Sequence, residues 1–167
     1  MAYSNKAYVA FDADNDIRYY RLMQAWRKVD GTGFGFFDAH DLNNLMPFSS
    51  EETIKAKLRD RMTNTKVFVL LVGNNTKYLY KFVRWEIEQA INRGIPIVVV
   101  NTNKKRKKDV ALCPAILNGN LTLHVSFNKS IVAKSLREWP ELHLKYLQQN
   151  KSGDYFYNES IYQNLGL

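Results

Sequence analysis

Glu86 and Phe82 stand four residues apart, one helical turn, so a carboxylate sits one turn above an aromatic ring on the flank of a helix. That pair is the first site candidate. Arg84 and Trp85 lie between them, a cation and a further ring about 100° round the helix from Glu86. Asp12, Asp14 and Asp16 cluster after a short apolar run ending at Phe11. They read either as turn and N-cap chemistry or as a carboxylate site for ribose hydroxyls or a divalent cation. Asp38, His40 and Asp41 form a third group near the end of another apolar run. His124 and His143 fall on other elements, so no histidine pair has metal-ligand spacing and no metal site is expected.

These groups need a frame that brings them together. KVFVLLVG (66–73) and IPIVVVN (95–101) are apolar, β-branched runs of the kind buried on both faces of a parallel sheet. Between them Val83, Ile87, Ala90 and Ile91 recur at helical spacing and make the face that packs on the sheet. AYVAF (7–11) is the expected first strand. It is followed by a helix from Asp16 to about Lys28 with Tyr19, Leu22, Met23 and Trp26 inward. A turn at 30–33 leads to a second strand, 34–38, and an irregular stretch, 39–48. Ser49 and Glu52 fit a capping box before a helix over 50–64, in which Ile54, Leu58 and Met62 repeat. LTLHVSF (121–127) alternates as a fifth strand, and helix follows from Lys129, with a kink or a break expected at Pro140.

Strands alternating with helices predict an α/β fold: an open five-stranded parallel sheet, order 2-1-3-4-5, helices on both faces, in a flavodoxin-like arrangement. Its switch point lies between the first and third strands, where Phe11 to Asp16, Asp38 to Asp41 and Asn74 to Glu86 converge. Residues 1–149 read as one domain. Residues 150–167, with Tyr155, Phe156, Tyr157 and Tyr162, read as an aromatic tail packed on it or used in self-association.

Composition narrows the classes. At 167 residues, 46% hydrophobic and 24% charged, the chain fits one soluble domain. No apolar run approaches membrane-spanning length and no secretory signal is legible at the start, so a cytoplasmic location is expected. One cysteine, Cys113, excludes an internal disulfide and agrees with a reducing compartment. The net charge is +8, but five of those charges are the contiguous run Lys104 to Lys108. That run reads first as a solvated loop and second as an attractor of phosphate; nucleic acid is disfavoured, since no RNA- or DNA-binding motif accompanies it.

The segment IKAKLRDRMTNTKVFVLLVGNNTKYLYKFVRWEIEQAINRGIPIVVV resembles the TIR-like domains of the Thoeris ThsB type, from bacterial antiphage defence. The similarity runs over roughly Lys6 to Pro140. Phe82-Val83-Arg84-Trp85-Glu86 is similar to the TIR pattern of an aromatic, three residues and a glutamate, with Phe82 where tryptophan is usual. YVAFDADND resembles the TIR first strand, with Ala10 in place of serine, and FFDAHDL the second strand and the loop after it. The resemblance implies cleavage of NAD+, a substrate and not a cofactor, at the nicotinamide–ribose bond, with Glu86 catalytic. Phe82, Trp85, Arg84, Phe11, Asp12, Asp38 and His40 would bind the substrate. It further implies a cyclic ADP-ribose isomer as product, an effector that responds to it, a phage-derived activator and a possible homo-oligomer. The alternative is a non-enzymatic TIR-like interaction module. A phospho-receiver is disfavoured because the third strand ends in Gly73-Asn74-Asn75, with no acceptor aspartate.

Overall fold

Alternation along the strands divides the molecule into two layers of core. The structure is a computed structural model that describes residues 6–30, 35–38 and 50–167. In β1 (Lys6–Ala10), Ala7 and Val9, continued by Phe11, face one side, while Tyr8 and Ala10 face the other. In β3 (Val67–Val72) the same split sends Val67, Val69 and Leu71 one way and Phe68, Leu70 and Val72 the other, with all six buried. Helices must therefore cover both faces.

On the first face lie Tyr20 and Met23 of α1 (Ile17–Asp30) and Ile131, Val132, Leu136 and Trp139 of a long helix, Lys129–Gln148. On the second lie Ile54, Leu58 and Met62 of α2 (Glu51–Thr63) and Val83, Ile87 and Ala90 of α3 (Val83–Asn92). Leu22, expected inside, is about half exposed. The inward stripe of α1 is Tyr20 and Met23, with Tyr19 and Trp26 beside it against Phe127. Capping of α2 is by Ser50, whose Oγ accepts from Thr53 N at 3.2 Å; Ser49 of the expected capping box lies outside the described residues.

β2 (Gly35–Asp38), β4 (Ile97–Asn101) and β5 (Thr122–Ser126) complete the strands expected from sequence, but the sheet has six strands and not five. The sixth is β6 (Asp154–Phe156) from the aromatic tail. The order is β2-β1-β3-β4-β5-β6 and every pairing is parallel. The expected turn at Gly31–Gly33 and the irregular stretch 39–48 lie outside the described residues. The helix Lys129–Gln148, here α4, runs unbroken through Pro140, so of the kink or break expected there it is not the break that forms. Burial of Leu136, Trp139 and His143 around the proline offsets the roughly 3 kcal/mol that it costs a helix interior. Among the described residues no helix is long and apolar enough to cross a membrane.

The basic run is a loop with Lys104, Lys105 and Lys107 exposed, and its backbone is pinned. Asn101, buried at the end of β4, donates both amide hydrogens, to the carbonyls of Lys105 (2.9 Å) and Lys107 (2.8 Å), and so fixes the backbone of the run. Lys105 then pairs with buried Asp109 at 3.0 Å. Although burial alone would raise the Asp109 carboxyl, bonds from Asn103, Lys105 and the Leu112 amide hold it below the ordinary range. Three further cations, Arg106, Lys107 and Lys108, reach the tail. Arg106 meets Glu159 at 2.6 Å and lies over the Tyr162 ring at 4.4 Å, Lys107 lies over Phe156 at 4.7 Å, and Lys108 meets Asp154 at 3.2 Å. Tyr162, on α5 (Glu159–Asn164), is fully buried, and its hydroxyl accepts from the Ser126 amide at 3.2 Å. The charge run and the aromatic tail, two separate features of the sequence, are two halves of one clamp.

Candidate active site

At the C-terminal end of β1 the chain turns through Asp12 to Asp16. Asp12 Oδ1 accepts from the amides of Asp14 (3.1 Å) and Asn15 (3.3 Å), and Oδ2 from Asn15 Nδ2 (2.7 Å). This carboxylate is engaged in holding its own turn. Asp16 is buried against Gly73, the residue after β3, where a Cβ would collide with the carboxylate. Burial, and secondarily the neighbouring Asp12, push the Asp16 carboxyl above its ordinary range. Glycine at position 73 is what lets the two strand ends approach, with the Gly73 amide donating to Thr76 Oγ1 at 2.9 Å.

From Thr76 a single 3-10 turn (Thr76–Tyr78) leads into α3, and this stretch faces the β1 turn across a cavity of about 320 Å³. Phe11, Asp12 and Asp14 form one wall, and Tyr78 to Val83 with Glu86 the other. Phe11 is held by stacking on Tyr20, ring centroids 4.9 Å apart. Phe82 caps α3, and the Glu86 amide donates to the Phe82 carbonyl at 2.8 Å, so the two side chains lie one turn apart on the cavity side of the helix. Glu86 is 3% exposed, far deeper than the flanking position suggested by helix periodicity. Among the described residues no cluster of three or more His, Cys, Asp or Glu could hold a metal.

Four of the expected site residues line this cavity: Glu86, Phe82, Phe11 and Asp12. Trp85 does not. Its ring turns toward α2, beneath Lys55 (5.5 Å) and Arg59 (5.8 Å), as a rotation of 100° from Glu86 requires. Arg84 also points elsewhere, pairing with Glu88 at 3.3 Å and lining a second cavity. Asp38 closes β2 in register with Val9, and His40 and Asp41 lie outside the described residues. Sequence reasoning missed Tyr78, Tyr80 and Lys81, which line the cavity from the loop before α3. The available signal was the interleaving of rings and cations in TKYLYKF (76–82), between a strand end and a helix start. Lys81 lies over the Phe82 ring at 5.3 Å and 3.6 Å from Glu51.

An open parallel sheet with a cavity at the ends of its first and third strands, lined by carboxylates and aromatic rings, defines an α/β domain with a switch-point site. The particular family follows from comparison: the model of the Thoeris protein ThsB TIR-like domain matches residues 8–107. That match spans more than half of the chain and every residue of the cavity, and the chain belongs to this family of antiphage defence proteins.

Proposed function

We propose that this protein cleaves NAD+ at the nicotinamide–ribose bond and makes a cyclic ADP-ribose isomer that activates a separate effector. The observation that carries the reading is Glu86, a buried carboxylate that nevertheless lines an open cavity, one turn from the Phe82 ring. Glutamate is among the residue types least often buried this deeply.

The chemistry needs one carboxylate. The C1′–N bond breaks with its electron pair going to nicotinamide, which was cationic and leaves neutral, so no acid has to protonate the leaving group, unlike ordinary glycoside hydrolysis. The sugar acquires oxocarbenium character, and Glu86 stabilises it by charge while accepting from ribose hydroxyls. Phe82 stacks on the nicotinamide ring and Phe11 closes the opposite wall. The N-terminal end of α3 adjoins the cavity and favours pyrophosphate. Attack on C1′ by an adenine nitrogen or ribose hydroxyl, with loss of its proton where it has one, closes a ring; attack by water gives ADP-ribose. NAD+ is substrate throughout, and no cofactor is invoked.

The reading carries with it a phage-derived activator, an effector that responds to the product, a possible homo-oligomer and a cytoplasmic setting that keeps Cys113 reduced. It is tested by incubating the protein with NAD+ and extract of phage-infected cells and following nicotinamide release. Glu86→Gln is expected to lower release by a factor of about 100 or more, the scale of losing one electrostatic group at a reacting centre. A wild type inert in every extract, or a Glu86→Gln protein of undiminished activity, would leave the non-enzymatic interaction module as the function.

A further inference from the structure

Beside the first cavity lies a second, of about 390 Å³, and the same residues divide them: Tyr78, Leu79, Tyr80 and Val83 line both. The loop before α3 is thus a ridge between two hollows. Tyr78 and Tyr80 on its crest are 58% and 65% exposed, a large amount of ring to leave in water beside a concave site. The floor of the second hollow is apolar, built from Ile87, Cys113 and Pro114. Its rim is cationic: Arg84 is about half exposed, and Lys77 donates to the Ala111 carbonyl at 2.7 Å, tying the ridge to the far wall.

On these observations, and resting on the NAD+ reading above, we infer that the second cavity is the subsite for the adenosine half of the dinucleotide, with the pyrophosphate crossing the ridge. Size argues for two compartments. Sites for small molecules run from about 300 to 1,000 Å³, so either hollow alone stands at the low end of the range and the two together suit a ligand made of two nucleotides. Charge argues for the path. From Lys77 to Arg84 the ridge carries Lys77, Lys81 and Arg84 and no acidic residue, which suits a diphosphate with two negative charges. Chemistry argues for the occupant, since a flat base stacks on tyrosine and buries its face on an apolar floor. The nicotinamide end then lies at Phe82 and Glu86, and ring closure follows when the distal half folds back over the ridge.

Ala111 and Ala115 are exposed, line the second cavity and are absent from the first, so Ala111→Trp and Ala115→Trp fill it without touching the core. With NAD+ and infected-cell extract, each is expected to raise KM about tenfold with kcat nearly unchanged, the signature of lost uniform binding. Cys113, the only cysteine, supplies a readout that needs neither variant nor turnover: AMP should slow its labelling by a maleimide at alkaline pH. Unchanged KM in both variants, or labelling of Cys113 indifferent to saturating AMP, overturns the subsite while nicotinamide release stands. Protection of Cys113 by AMP in a protein that never releases nicotinamide does the opposite: it upholds a nucleotide site there and overturns the enzymatic reading.

Discussion

Acidification should unfasten this protein through His124. The imidazole sits on β5 with no exposed surface, its Nε2 at 2.9 Å from Thr122 Oγ1 and 3.5 Å from Asp154 Oδ1, and its Nδ1 is buried without a hydrogen-bond partner. Burial disfavours the imidazolium and Lys108 opposes it further; Asp154 compensates only in part, and the pKa falls from the ordinary 6.5 to about 4. In the unfolded chain the ring protonates below 6.5 while in the fold it resists to about 4. Between those values the unfolded state binds more protons, so stability is full above 6.5 and is lost as pH falls toward 4. By about pH 4.5 the loss from this one group is about 2 to 3 kcal/mol, a sizeable share of the 5–15 kcal/mol that holds a typical domain. Urea unfolding at about pH 7 and about pH 4.5 measures it, with His124→Gln as the comparison, since glutamine can meet Thr122 but cannot titrate. The variant should lose about 2 to 3 kcal/mol less than the wild type between the two conditions. An equal loss in both proteins, or a histidine C–H resonance of His124 that titrates near 6.5, would refute the reasoning.

Gly73→Ala should lower stability by about 1 to 3 kcal/mol because its Cβ meets the Asp16 carboxylate, and shortening that neighbour in Gly73→Ala/Asp16→Ala should restore part of the loss in a thermal melt. Cys113, whose thiol burial pushes up to about 11, should react with disulfide reagents at neutral pH far more slowly than a peptide thiol, by a factor of about 100, with the rate climbing through the alkaline range. In the clamp, Arg106→Gln should cost about 1 kcal/mol or less, because its partner Glu159 is largely exposed. Tyr162→Ala, which empties a fully buried aromatic site, should cost about 3 kcal/mol or more in the same denaturation assay.

What could be read from the sequence was what local periodicity encodes. The strands around Val67–Val72 and Ile97–Asn101 and the helix between them follow from apolar spacing alone. Glu86 and Phe82 were legible because one helical turn relates them, whatever the rest of the fold does. Trp85 and Arg84 leave the first cavity by the same geometry: neighbours in sequence diverge by 100° each, and only the packing of α2 on one side and the Pro114 loop on the other decides what each meets. β6 escaped notice because three residues with half-exposed side chains carry no periodic signal. The clamp could not be read at all, since its pairs join residues 46 and 53 positions apart.

The clamp also has a bearing on how copies of this chain could meet. β5 would otherwise present a bare row of amides and carbonyls, an open template on which another strand could grow. β6 occupies that row, and being only three residues long it offers little template of its own. Arg106 and Lys108, anchored from the neighbouring loop, keep it seated. On this side the edge is blunted by a short strand seated by side chains, which favours association of copies through helices and loops.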